Sequence, residues 1–83
     1  MRYRTFISDK ARRELKDLPA SARTRVVRVI DKLGVGDFAG SRSLPVASSG
    51  VQLRVSRVMP RLRVVYAVDL AKELVAVVRL DKR

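Results

Sequence analysis

The apolar residues of this chain change their spacing partway along it. From Asp9 to Leu33 they recur at helical intervals: Ala11, Leu15 and Leu18 form one stripe, and Ala22, Val26, Val29, Ile30 and Leu33 a second. From Val51 onward they alternate with polar residues, as in Val51-Gln52-Leu53-Arg54-Val55-Ser56, or run unbroken through β-branched stretches such as Val64-Val65. An α-helix repeats every 3.6 residues and a strand every two, so the first part of the chain is predicted helical and the second a sheet. Each part has an apolar side that only the other can cover.

Punctuation residues divide these parts further. Arg2 to Ser8 alternates and is rich in aromatic and β-branched residues, which predicts a strand. Ser8 and Asp9 supply an N-cap and an acidic first turn, Pro19 interrupts the first helix, and Gly34 is placed to end the second. Gly34 to Gly50 has no period and is rich in Gly and Ser, which predicts a loop in which Phe38, Leu44 and Val46 anchor to the core. Three strands follow, Val51–Ser56, Leu62–Val68 and Glu73–Asp81, separated by turns at Met59-Pro60-Arg61 and Asp69-Leu70-Ala71-Lys72. The expected fold is α+β, in the order β-α-α-β-β-β, with a helical hairpin on one face of a small antiparallel sheet. Residues 1–83 are expected to form a single domain whose second sheet face is open.

The chain carries 19 Lys and Arg against 8 Asp and Glu, a net charge of +11, while 47% of it is hydrophobic. That apolar share argues against a disordered basic tail. Cys and His are both absent, which excludes a disulfide framework, a thiolate zinc site, a Ser-His-Asp or Cys-His nucleophile and a zinc hydrolase. The longest apolar runs fall far short of the ~20 residues of a membrane span, and no signal peptide is visible. The expected location is the cytoplasm, with a polyanionic or acidic partner and no membrane association.

Arginine inside strands is the informative chemical feature, because the period of two fixes its direction. Cross-strand neighbours lie within ~5 Å, so Arg54, Arg63 and Arg83 are expected to gather on the open face. Guanidinium groups clustered in this way suit a phosphodiester. Arg57, Arg61 and Arg79 are candidates for further RNA contacts. The alternative is that the strand arginines are solvated residues beside Asp69, Glu73 and Asp81. Arg12, Arg13, Lys16, Arg23, Arg25 and Arg28 read as solvated helix faces, and Tyr66 reads as a core residue rather than a catalyst. No carboxylate pair is spaced for two-metal chemistry, and no metal or cofactor is expected.

The strand, the stretch Ile7-Ser8-Asp9-Lys10-Ala11-Arg12-Arg13-Glu14-Leu15-Lys16-Asp17-Leu18-Pro19, a second helix ending Ile30-Asp31-Lys32-Leu33, Leu44, and then Arg63-Val64-Val65-Tyr66 resemble the RelE/ParE superfamily of toxin–antitoxin toxins over nearly the whole chain. The resemblance implies a microbial RNase-like fold. RelE-like members are ribosome-dependent mRNA endonucleases held in check by an antitoxin, whereas ParE-like members act on DNA gyrase without nuclease chemistry.

Residue by residue, the RelE-type arginine before two aliphatics and a tyrosine looks like Arg63. The arginine closing the last strand looks like Arg83, preceded by Lys82, and the basic residue nine positions before Arg63 looks like Arg54. Ser56 stands where such enzymes often have a second basic residue, and many members continue past the final arginine to a catalytic tyrosine, whereas this sequence stops at Arg83. The resemblance thus implies metal-independent cleavage by the substrate's own 2′-hydroxyl, with Arg54, Arg63 and Arg83 on the phosphate and Lys82 the candidate for proton transfer. The implied partners are a cognate acidic antitoxin, lying along the helical hairpin or over the arginine face, the ribosome with its mRNA, and operator DNA only through the antitoxin. A gyrase-directed toxin, a catalytically weakened toxin and a basic RNA-binding domain are the alternatives.

Overall fold

Seven elements form in the computed structural model, which describes residues 3–44 and 50–82: β1 (Arg4–Ile7), α1 (Asp9–Lys16), α2 (Ala20–Gly34), β2 (Arg42–Leu44), β3 (Val51–Met59), β4 (Leu62–Asp69) and β5 (Leu74–Lys82). Local chemistry sets the helix ends. The Ser8 hydroxyl accepts from the Ala11 amide at 3.0 Å and starts α1. Pro19 then stands at the N-cap of α2, and Arg23, one turn into α2, donates to the Leu18 carbonyl at 3.0 Å and the Lys16 carbonyl at 3.3 Å. Those carbonyls close α1 and would otherwise lack partners. Arg23 is exposed, as its helical position suggested, and also acts as a cap that ties the hairpin together.

The strands form one sheet in the order β1-β5-β4-β3-β2. Alternate residues of β4 and β5, among them Val64, Tyr66, Val68, Val75 and Val77, are fully buried against Ala11, Leu18, Ala22, Val26 and Leu33 of the helical hairpin. The α+β class and the helices on one sheet face are those expected. Two features differ. The sheet is mixed, because β1 pairs in parallel with β5, from Arg4 opposite Leu74 to Ile7 opposite Val77. And β2, antiparallel to β3, forms within the segment expected to be a loop. Met59 also belongs to β3 and not to the turn after it, and the expected anchor Val46 and the residues before Tyr3 lie outside the described residues.

The segment between α2 and β2 is held by its aromatic residue. The Phe38 ring meets Tyr3 edge-on at 5.4 Å and Tyr66 at 6.1 Å. Gly36 approaches from the other side of Tyr3 at φ +81, and a Cβ there would come within 3.1 Å of that ring. Tyr66 is fully buried, and its hydroxyl lies 3.3 Å from that of Ser56, so both polar groups are satisfied inside the core.

Two β-bulges interrupt the register. In β3 the pairing passes from Arg57 opposite Arg63 to Met59 opposite Leu62, leaving Val58 as the extra residue. In β5 it passes from Val77 opposite Tyr66 to Arg79 opposite Val65, leaving Val78 extra. Helix α1 holds the second bulge from the side where β1 has ended. The Ser8 amide donates to the Val77 carbonyl at 2.9 Å, its hydroxyl donates to the Val78 carbonyl at 2.6 Å, and the Leu80 amide donates to Glu14 Oε1 at 3.1 Å.

Glu14→Ala should leave the half-buried Leu80 amide without its acceptor and cost about 1–3 kcal/mol, with Glu14→Gln losing less because its amide oxygen still accepts. Leu33→Ala, which empties a fully buried site, should cost about 2–5 kcal/mol. Urea unfolding of the three variants checks both values.

Candidate nucleic-acid interface

Directly paired residues of neighbouring strands point to the same side of a sheet, so the register sorts every strand cation. Buried Tyr66 and Val64 mark the helix side. Arg57 opposite Arg63 lies on the other, open side, as does Asp81, which pairs with Arg63 from β5. The next row along the strands is Arg42, Val55, Val65 and Arg79, also on the open side. Arg42, Arg57 and Arg63, with Val55 and Gly40, line a groove of about 270 Å³ on this face. Arg42, Arg57 and Arg79 are exposed and Arg63 is half-buried.

Two expected members of the cluster are elsewhere. Arg54 pairs with Tyr66 and thus faces the helix side. There its Nε donates to Ser41 Oγ at 2.8 Å and its Nη1 to Gln52 Oε1 at 3.2 Å, while the Ser41 hydroxyl donates to the Phe38 carbonyl at 2.6 Å. Arg54 thereby fastens the segment before β2 to the sheet. Lys82 pairs with Leu62, also on the helix side, and with Arg61 it borders a mainly apolar groove of about 460 Å³ over Leu18, Ala22, Met59 and Pro60. Arg61 is accordingly placed away from the arginine groove. Arg83 lies outside the described residues.

The reason is the same in both strands. Were Val58 paired in the ladder instead of bulged out, Arg54 would meet Ala67 and share the open side with Arg63. Were Val78 paired, Lys82 would fall on that side too. One inserted residue exchanges the faces of everything beyond it. Ser56 is affected likewise: it sits 9% exposed against Tyr66, where a lysine or arginine would bury an unpaired charge. Arg57, one position on, carries the cation to the open face instead.

Arg42 went unnoticed in the sequence because Gly and Ser dominate its surroundings. The one signal there is brief, an alternating Arg42-Ser43-Leu44 closed by a proline, the residue that commonly ends a strand.

Chemically, Arg42, Arg57 and Arg63 line one groove and Arg79 stands across the sheet in the adjacent row, with one carboxylate, Asp81, beside Arg63. Arginine presents planar, paired donors that suit an anion such as phosphate. Among the described residues, no group of three or more acidic side chains is placed to hold a metal ion, and no helix is long and apolar enough to cross a membrane.

The fold is one seen in solved structures of RelE toxins. A chain of the archaeal RelE–RelB complex from Pyrococcus horikoshii OT3 superposes with a TM-score of 0.88 at 22% identity, over 100% of this chain and 97% of that one. A chain of the RelBE2 toxin–antitoxin complex from Mycobacterium tuberculosis gives 0.79 at 24% identity, over 100% of both. The isolated RelE toxin of E. coli gives 0.66 at 17% identity, over 96% of this chain and 83% of that one. No protein-family model matches the sequence, and no curated protein does so significantly. The chain thus has the RelE fold.

Arg57→Ala and Arg63→Ala should leave the unfolding free energy within about 0.5 kcal/mol of wild type, as for surface positions away from packing. Arg54→Ala should instead release residues 35–41. Amide hydrogen exchange should speed up there for Arg54→Ala and stay unchanged for Arg57→Ala.

Proposed function

We propose that the protein is the toxin of a type II toxin–antitoxin system that cleaves ribosome-bound mRNA without a metal. The observation that carries this reading is the pairing of Arg57 with Arg63 across β3 and β4, in a groove shared with Arg42 on the sheet face left free by the helices. The RelE fold supports it, and two of the three structures compared above are toxin–antitoxin complexes.

In this reaction the 2′-hydroxyl of the RNA attacks the adjacent phosphorus, its proton is lost, and the 5′-oxygen of the next nucleotide leaves and takes up a proton. The trigonal-bipyramidal phosphorane has more negative charge on its free oxygens than the diester. Arg57 and Arg63 hold the phosphate, and Arg42 and Arg79 from the next row add donors as that charge grows. A well-aimed donor of this kind can be worth about 2.7–4 kcal/mol. Arg54 acts indirectly, by fastening the segment that carries Gly40 and Arg42. The role of Arg83, which follows Lys82 in the sequence, stands as proposed from the resemblance, and Lys82, on the helix side, is a poor proton carrier for this groove.

The partners follow from charge. A net +11 invites an acidic antitoxin, through which the toxin would reach operator DNA, and a cytoplasmic ribosome supplies the mRNA. The displacement of Lys82 from the arginine face favours one second reading, a ParE-like toxin that blocks gyrase and has no nuclease chemistry.

Expression of the chain should arrest growth and produce cuts in ribosome-bound message, mapped by primer extension. Arg57→Ala and Arg63→Ala should each lower cleavage by about 100-fold, the lower end of the loss of one transition-state donor. Supercoiling blocked with no cut in message would replace the nuclease reading by the gyrase one. Co-expression with the acidic product of a neighbouring gene should yield a stable complex and restore growth.

A further inference from the structure

The arginine rows occupy only part of the open face. The next row along the strands is apolar across the sheet: Leu53 on β3, Ala67 on β4, Ala76 on β5 and Phe6 on β1, each opposite the next in register. Beyond it the row runs Arg4, Leu74, Asp69 and Val51, so at the Phe6 end of the apolar row Arg79 stands on one side and Arg4 on the other, with Asp69 two strands from Arg4. Phe6 is 56% exposed. The chain's remaining aromatics, Tyr3, Phe38 and Tyr66, pack together on the helix side. Phe6 is therefore the aromatic that sequence and fold leave outside the core.

We propose that this row is a stacking subsite for a nucleobase of single-stranded RNA, with the Phe6 ring as its platform and Ala76 and Ala67 as its floor. The inference rests on the RNA reading of the arginine groove and extends it. Two alanines beside one aromatic ring make a shallow, flat floor, which suits a planar base and offers no pit for a branched side chain. Rows two residues apart are separated by about 7 Å, so the Phe6 row lies about 14 Å along the strands from Arg63. Bound RNA would thus reach from the arginine groove across the sheet, its phosphates met by Arg79 and Arg4 on either side of the base. Aromatic stacking tolerates any base, so the subsite would add affinity and fix the strand's direction without reading sequence.

The chain contains no Trp, so Phe6→Trp installs a single reporter. Its fluorescence should be quenched by a short oligoadenylate and unaffected by an abasic ribose-phosphate oligomer of equal length. Phe6→Ala should weaken oligoadenylate binding at least about fivefold, the low end for one base–aromatic stack, and leave binding of the abasic oligomer unchanged. Circular dichroism confirms that both variants fold. Equal weakening for both oligomers, or none for either, would overturn the subsite while leaving the arginine groove intact. Loss of affinity for a polyglutamate peptide with none for RNA would make the row a protein-docking surface and overturn it too. Failure of the wild-type chain to bind any RNA would remove the reading beneath it.

Discussion

The arrangement of charge on this protein depends on three hydrogen bonds between α1 and the bulge in β5. Strand β1 is short, so beyond Ile7 the outer edge of β5 has no strand beside it. Ser8 and Glu14 take its place, bonding Val77, Val78 and Leu80. Ser8 thereby has two tasks, starting α1 and fixing the extra residue of the sheet. With Val78 held out of the ladder, Leu80 turns into the core and Arg79 and Asp81 turn outward. A helix cap thus decides which cations of the last strand can meet a ligand.

The second bulge, at Val58, does the same for β3. It sends Arg57 to the open face beside Arg63 and turns Arg54 toward Ser41 and Gln52. The two arginines then have different work: Arg54 spends its donors on its own protein, whereas Arg57 presents them outward. The buried hydroxyl pair of Ser56 and Tyr66 belongs to this frame as well, because it fills with two small polar groups a place that could not accept a charge.

Much of the fold was legible in the sequence, since it follows from apolar spacing. Ala11, Leu18, Ala22, Val26 and Leu33 declared the helical stripes, and the alternation around Val64 to Val68 declared the buried strand. The parallel pairing of β1 with β5 was not legible, because periodicity gives a strand's faces and not its neighbours. Strand β2 was hidden by its brevity. The arginine site was legible only in kind: arginines inside strands announced an anion-binding face, and Arg63 was read on it. Its other members depended on two inserted residues, Val58 and Val78, both valines in valine-rich strands with nothing in composition to mark them as bulges. The resemblance therefore put Arg54 beside Arg63 and Lys82 before Arg83, where the folded sheet offers Arg57 and Arg79, read from the sequence only as further RNA contacts, and, from the short strand, Arg42.

The central claim is that Arg57 and Arg63, and not Arg54, meet the phosphates of RNA. The salt dependence of binding counts such contacts directly, because each neutralised phosphate of a single strand contributes about 0.7 to the slope of log K against log salt concentration. With a short single-stranded RNA, Arg57→Ala and Arg63→Ala should each reduce the wild-type slope by about that amount, and Arg54→Ala, which only loosens the segment carrying Arg42, should reduce it by less. A slope unaltered by Arg63→Ala, or reduced as much by Arg54→Ala, would contradict the assignment of the open face as the RNA site.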